Sequence, residues 1–279
     1  MKIFFVVPTL NKRPNELKRL INSISSLKGL IEKKILIINQ GEEIFLDNNI
    51  QDYIIEIKID RKGTSNAKNV GIEYILDKSN DDDLICFPDD DCWYPEDSIE
   101  KIISAFNNEN DGIIGRAFDP NIGRDFGFTQ FKNSIIVNKN NAHKFFMISM
   151  FFKVKIFKNT TVRFDPELGV GAKYGCGEET DLLFDILKNH YKILYDNNFK
   201  VYHLNYEMQT EQLLSYSYGQ GALLKKIVFK YKSIGVFFTI ILRPLLGGVY
   251  FALLLKFQNS KRYFLRLHRL YKGFFDYEI

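Results

Sequence analysis

Two acidic triplets, Asp81-Asp82-Asp83 and Asp89-Asp90-Asp91, lie close together in the chain but in different settings. A run of three aspartates is ordinarily a solvated acidic turn, and that is the expectation for the first. The second closely follows the apolar run Leu84 to Phe87 through Pro88 and precedes Cys92-Trp93-Tyr94-Pro95, so its carboxylates are pinned between a core strand and a helix start. Carboxylates fixed at a strand end can hold a divalent cation, which neutralises a departing diphosphate without proton transfer. A further acidic group, Glu178, Glu179 and Asp181 in GCGEETDL, opens a helical pattern. There the macrodipole favours negative charge whether or not the residues do chemistry. His203, alone after the strand-like Phe199 to Tyr202, is by itself an ordinary structural histidine.

The elements that position these groups follow from hydrophobic periodicity. Ile3 to Val7, Lys34 to Asn39, Tyr53 to Ile57 and Leu84 to Phe87 read as strands; Phe145 to Phe157 is a candidate core strand. Between them, Glu16 to Leu27, Ala67 to Leu76 and Glu96 to Phe106 carry apolar residues at helical spacing, as does Glu178 to Asn189 farther on. Alternating strands and helices predict an α/β fold with a mostly parallel central sheet flanked by helices. In such sheets ligands bind at the carboxyl ends of the strands, where Pro8-Thr9, Asn39-Gln40-Gly41 and Asp89-Asp90-Asp91 all fall.

The chain has 279 residues, 46% of them hydrophobic, enough for a substantial core, and a net charge of +4 that is too small to suggest a nucleic-acid binder. The charge is uneven. From Tyr206 onward there are 11 Lys/Arg against 4 Asp/Glu, leaving 27 against 30 before it. Three cysteines, Cys86, Cys92 and Cys176, without metal-ligand spacing point to packing roles in a reducing compartment. Met1 to Leu10 lacks the long apolar core and cleavage site of a secretory signal, so the body is expected in the cytosol.

Four segments in order, VVPTLNKR, RKGTSNAKNVGI, CFPDDDCWYP and FDPELGVGAKYGCGEETDLLFDIL, resemble the family 2 glycosyltransferases across Met1 to about His203. The resemblance implies a GT-A, Rossmann-like fold and transfer of a sugar from a nucleotide-diphosphate sugar with inversion at the anomeric carbon. Carried over position by position, Pro8, Thr9 and Asn11 would line the donor base pocket, with Lys68 and Asn69 near the nucleotide. Asp89 and Asp90 would face the ribose and diphosphate, Asp91 would be the direct metal ligand with Asp89 as a second metal residue, and His203 would complete the metal shell or touch the diphosphate. Imidazole with carboxylates suits Mn²⁺, whereas Mg²⁺ prefers oxygen ligands alone. Glu179 stands where many relatives carry the base that deprotonates the acceptor hydroxyl, with Glu178 as the neighbouring candidate. Asn39 departs from the family's common aspartate; its amide still pairs with a uracil or thymine imide, so a UDP- or dTDP-sugar is the expected donor. Gly169, Gly171, Gly175 and Gly177 would let the preceding loop act as a lid, and the acceptor-side loop candidate is Asp119 to Asn140.

Beyond a catalytic domain over 1–205, the stretch 206–279 reads as a basic helical tail. Leu213 to Tyr231 is amphipathic, and Ile234 to Leu255 reaches the length of a bilayer span but contains Arg243 and Pro244, which predicts two short apolar helices bent at the proline. Lys256 to Lys272 has the composition of an interfacial helix on anionic lipid. The membrane surface is therefore an expected partner through 213–272, with the enzyme on its cytoplasmic face. Relatives with such tails extend lipid-linked saccharides, as in polysaccharide biosynthesis. A buried helical hairpin or dimer contact is the alternative for the tail. For the whole chain the alternatives are a catalytically inactive membrane adaptor and a sugar nucleotidyltransferase; the latter usually opens with a glycine-rich phosphate loop, and VVPTLNKR has no glycine.

Overall fold

The computed structural model describes residues 1–29, 31–45, 53–106, 109–125, 131–206 and 208–279. Among these the strands are β1 (Lys2–Thr9), β2 (Glu32–Asn39), β3 (Ile54–Lys58), β4 (Leu84–Cys86), β5 (Gly112–Asp119), β6 (Arg124–Asp125), β7 (Ile135–Ile136), β8 (Met150–Lys153) and β9 (Ile193–Tyr202). The α-helices are α1 (Pro14–Ser25), α2 (Thr64–Leu76), α3 (Ser98–Ala105), α4 (Lys155–Lys158), α5 (Glu178–Lys188), α6 (Thr210–Phe229), α7 (Ile234–Leu253) and α8 (Phe257–Asp276).

The strands form one sheet in the order β3-β2-β1-β4-β8-β5-β9-β7, with β6 pairing β5. The fold is the expected α/β type. Its sheet is parallel across β3-β2-β1-β4 and mixed beyond, because β8 enters antiparallel to both β4 and β5 before β9 pairs parallel with β5. The candidate core strand Phe145 to Phe157 is shorter than expected: only Met150–Lys153 is strand, and the chain turns into α4 at once. Apart from half-buried Phe146, its aromatic and β-branched residues are buried nonetheless, which is why periodicity alone reads them as one strand.

β1 is buried from Ile3 to Thr9, as a central parallel strand covered on both faces should be. Alternate residues serve opposite layers. Ile3, Phe5 and Val7 pack with Leu17, Leu20, Ile21 and Ile24 of α1 and with Ile99 and Ile102 of α3. Phe4 and Val6 face the other way, toward Ile72 and Ile75 of α2, Leu183 of α5 and Leu224 and Ile227 of α6. The helices thus sandwich the sheet and leave its carboxyl edge as the place where polar side chains converge.

The C-terminal helices form a hairpin laid on α6. Glycines permit the close crossing of α6 and α8: a Cβ on Gly221 would fall 2.1 Å from the Leu270 carbonyl oxygen, and one on Gly273 would fall 1.9 Å from that of Tyr218. The two short helices expected on either side of Pro244 are instead the single helix α7, with Pro244 inside it. Pro244 and Gly248 are buried one turn apart, Gly248 lies against Phe264 of α8, and Ser260 Oγ donates to the Gly248 carbonyl at 2.9 Å. Packing along α8 therefore holds the helix through a residue that on its own would break it. Cys86 and Cys92 are core residues, and Cys176 is half-buried with its thiol donating to the Tyr216 carbonyl.

Candidate active site

Strand order reverses between β1 and β4, so the loops leaving their carboxyl ends diverge there, the place where sheets of this class hold a ligand crevice. Pro8 and Thr9 close β1 opposite Ile38 and Asn39 of β2, and Asp89 to Asp91 follow β4. Thr9 Oγ1 donates to Asp90 Oδ2 at 2.6 Å and receives the Asn11 backbone N–H at 2.9 Å. Asn11 sits in the left-handed region, φ 52°, with its amide donating to the Glu43 carbonyl.

The histidine at the far end of the sheet is brought to the same place by main-chain pairing. Trp93 and Tyr202 exchange N–H···O bonds of 3.0 and 2.8 Å, and the His203 N–H donates to the Phe118 carbonyl. His203 Nε2 then lies 3.3 Å from Asp91 Oδ1. One ligand atom from each of Asp89, Asp91 and His203 lies within 4.8 Å of the others. Among the described residues the Asp89 carboxylate makes no hydrogen bond, so its oxygens remain available. Two carboxylates and one imidazole so placed fit a divalent cation.

Arg13, present in VVPTLNKR without an expected role, bridges the triplet: Nη2 lies 2.5 Å from Asp90 Oδ1, and Nη1 donates to Asp91 Oδ2. Arg19 donates to the Asp91 carbonyl at 2.7 Å and stacks on the Trp93 ring at 3.8 Å, fixing the turn from behind. Burial works to raise all three aspartates, but the outcomes differ. Asp89 and Asp90 do lie above the usual carboxylate range, whereas for Asp91 the hydrogen bond and charge of His203, with Arg13, outweigh burial and hold it below. Burial opposes charge on His203, and Asp91 more than restores it, leaving its pKa above the ordinary imidazole value. The other triplet is not wholly a solvated turn. Asp83 is buried and accepts the backbone N–H groups of Lys2 and Asn80 at 2.7 Å each, while Asp81 and Asp82 are exposed.

Glu178 and Glu179 open α5 after Gly177, whose φ of 100° makes the sharp entry that glycine adopts without strain. Burial first, and the charge of Glu178 second, push Glu179 up to about 8, although it accepts the Met147 N–H at 3.0 Å. Lys68, buried in α2, lies 3.3 Å from Glu178 Oε1. Burial opposes its charge, yet Glu178, Asp89 and Glu179 together raise its pKa, so it is a fixed cation between the acidic turn and the acidic helix start. Asn69, expected near the nucleotide, exchanges both amide atoms with the Phe164 backbone at 2.8 and 2.9 Å. These two bonds fix its amide against the segment that leads into the glycine loop.

The glycine loop before α5 is fastened down. Thr64 N–H and Ser65 Oγ of α2 donate to the carbonyls of Val170 and Leu168, at 2.9 and 2.6 Å. Behind the helix, Lys226 of α6 joins Asp181, at 2.5 Å, to Asp165, at 2.7 Å, and Tyr231 donates to Asp181 Oδ1 at 2.6 Å. This buried network spans both ends of the loop. No local pattern encodes it, because the partners are 45 and 61 residues apart. The acceptor-loop candidate Asp119 to Asn140 contains β6 and β7; its residues 126–130 lie outside those described.

Asn39 is explained by a neighbour. Its amide nitrogen donates to the Glu42 carbonyl and to Glu56 Oε1, both at 2.8 Å, and its oxygen accepts the Gly41 N–H at 2.9 Å. An aspartate here would set two carboxylates and a carbonyl against one another. Asn39→Asp is expected to destabilise the fold by about 1 to 3 kcal/mol, with Glu56→Gln restoring part of the loss in chemical denaturation.

The family model described as glycosyl transferase family 2 matches residues 4–165, more than half of the chain. Among solved structures the chain is similar to TarS 1-349 of S. aureus, with a TM-score of 0.60 and 14% identity over 82% of this chain and 66% of that one. It is equally similar to TarS 1-349 in complex with UDP-GlcNAc, with a TM-score of 0.60, 14% identity, and 82% and 67% covered. The longer S. aureus TarS structure gives a TM-score of 0.60 at 13% identity, over 82% of this chain and 40% of that one. The chain thus spans about two thirds of the shorter TarS chain, and the likeness is one of fold, of the GT-A type. No curated protein matches the sequence.

Proposed function

We propose that this chain, which belongs to glycosyl transferase family 2, moves a sugar with inversion from a nucleotide-diphosphate sugar to a hydroxyl of a glycan or lipid-linked saccharide. The observation that carries this reading is the meeting, at one sheet edge, of the Asp89, Asp91 and His203 cluster with the buried Glu178 and half-buried Glu179 across Lys68. A divalent cation, Mn²⁺ or Mg²⁺, bound there would neutralise the departing diphosphate.

The chain's own residues divide the remaining work. Thr9, Asn11 and Asn39 border the β1–β2 end of the crevice, which suits the nucleoside, and the complex of TarS 1-349 with UDP-GlcNAc supports a uridine donor by analogy of fold. Arg13 and Lys68 add fixed positive charge beside the diphosphate position. Glu179 takes the acceptor proton as the hydroxyl oxygen attacks, because burial and Glu178 make it a stronger base than an exposed glutamate. Glu178 is held by Lys68 and sustains that basicity. The apolar 20-residue helix α7, only 17% buried over its most apolar stretch, supports work at a membrane on an acceptor held there, which in this proposal is the cytoplasmic face.

A thermal-shift panel of nucleotide sugars with and without Mn²⁺ tests the reading. The cognate donor with Mn²⁺ is expected to stabilise the protein by about 2.7 kcal/mol at a hundred times its Kd, and the purified enzyme to hydrolyse that donor slowly. Pyrophosphate release from a nucleoside triphosphate and a sugar phosphate would instead establish a nucleotidyltransferase. Indifference to every donor would leave the inactive adaptor.

A further inference from the structure

The hairpin of α7 and α8 ends in a tip that the fold leaves bare. Leu253, Leu254 and Leu255 close α7 and Phe257 opens α8, with exposures of 79, 46, 74 and 66%. Leu255 is also in the left-handed region, φ 56°, where a helix end ordinarily places glycine or asparagine. A branched apolar side chain in that conformation, turned to solvent, opposes both backbone preference and water. Leu246 and Tyr250 extend the same exposed apolar surface back along α7, at 62 and 58%.

Charge says what covers this surface. From Lys232 to Lys272 the chain has eight Lys/Arg and no acidic residue, and Lys256, Lys261, Arg262 and Arg269 are exposed around the tip and along α8. An apolar tip ringed by cations complements an anionic lipid leaflet, with acyl chains for the leucines and phosphates for the bases.

The roots of the hairpin decide how it enters. At the near end of α7, Val236 belongs to the core and Ser233 N–H donates to the Ile227 carbonyl. At the far end of α8, Tyr277 OH donates to Asp165 at 2.5 Å, Lys225 Nζ to the Tyr277 carbonyl at 2.5 Å, and Tyr174 OH to the Asp276 carbonyl at 2.7 Å. Both ends are thus tied to the catalytic body. For α7 to cross the bilayer, α8 with its bases would have to enter the hydrocarbon beside it, which charges oppose strongly.

We propose that the hairpin is a monotopic anchor: its tip enters the headgroup–acyl boundary of an anionic leaflet without spanning it, while the exposed bases of α8 hold lipid phosphates. The proposal rests on the membrane location in the reading above and not on its chemistry.

Flotation of the full chain on preformed phosphatidylcholine vesicles with and without phosphatidylglycerol tests it. The protein is expected to float with the anionic vesicles, and less so at high salt. The triple variant Leu253→Ser/Leu255→Ser/Phe257→Ser should lose at least about tenfold in binding, with melting temperature and donor hydrolysis unchanged. Lys261→Gln and Arg262→Gln should each cost about fivefold on anionic vesicles only. Binding that ignores lipid charge or survives the triple variant overturns the proposal. So does an absence of binding with a dimer that the triple variant dissolves, because a second copy then covers the tip. Donor hydrolysis in the same samples reports separately on the catalytic reading.

Discussion

Asp91→Ala is expected to lower kcat/KM by about 10³-fold or more, since a cation that stabilises the departing diphosphate contributes several kcal/mol and each 1.36 kcal/mol is a factor of ten. The loss should appear with Mn²⁺ affinity in calorimetry, because Asp91 is the residue that His203 and Arg13 both touch. Asp91 is buried, so Asp91→Asn, which keeps its volume, separates lost charge from lost packing; it should remain folded and be nearly as inactive. Asp82→Ala is the control: the side chain is exposed, 3.7 Å from Lys153, and activity should not change. Full activity in folded Asp91→Ala would remove the metal assignment. Because Asp91 raises the His203 pKa, Mn²⁺ affinity should weaken as pH falls from neutrality, protons competing for the imidazole.

Glu179→Gln should cut kcat by about 10² to 10⁴-fold while donor binding persists. For the wild type, a base at about 8 means that kcat/KM rises with pH until about 8 and then levels. The stability effect has the opposite sign to the usual carboxylate case. The folded state favours the protonated form, so the cost of ionising Glu179 is absent below the unfolded glutamate pKa of about 4.3 and grows until pH passes about 8. Glu179→Gln removes that cost. It should therefore melt higher than wild type at pH 8 and equally at pH 4, a combination of lost activity and gained stability that a structural glutamate would not give.

Both predictions start from residues visible in the sequence, though not equally. Asp89 to Asp91 stood out because an apolar strand and a proline flank them, and strand ends can be located from periodicity alone. Glu179 is legible from its place in an ordered set of motifs; that it is the carboxylate raised to about 8 depends on burial, which no local pattern encodes. Asn39 looked like a departure from the family, and only the pairing of β2 with β3, which sets Glu56 beside it, supplies the reason. The bonding of Asn69 to the Phe164 backbone, 95 residues on, is likewise set by tertiary contact and not by its place on a helix surface.

The amino-acid sequence by itself determined the α/β class, the strand ends that carry polar residues, the acidic triplet and the basic, apolar tail. Each is a property of neighbours in the chain, legible as periodicity, composition or order. Only the tertiary structure decided that β8 reverses the sheet, that His203 and Arg13 converge on Asp91, and that Lys226 ties α5 to α6. It likewise decided that packing on α8 carries α7 through Pro244 as one helix, leaving the leucine tip bare. Such features arise between segments far apart in the chain, where charge pairing and close packing act through space and leave no local trace.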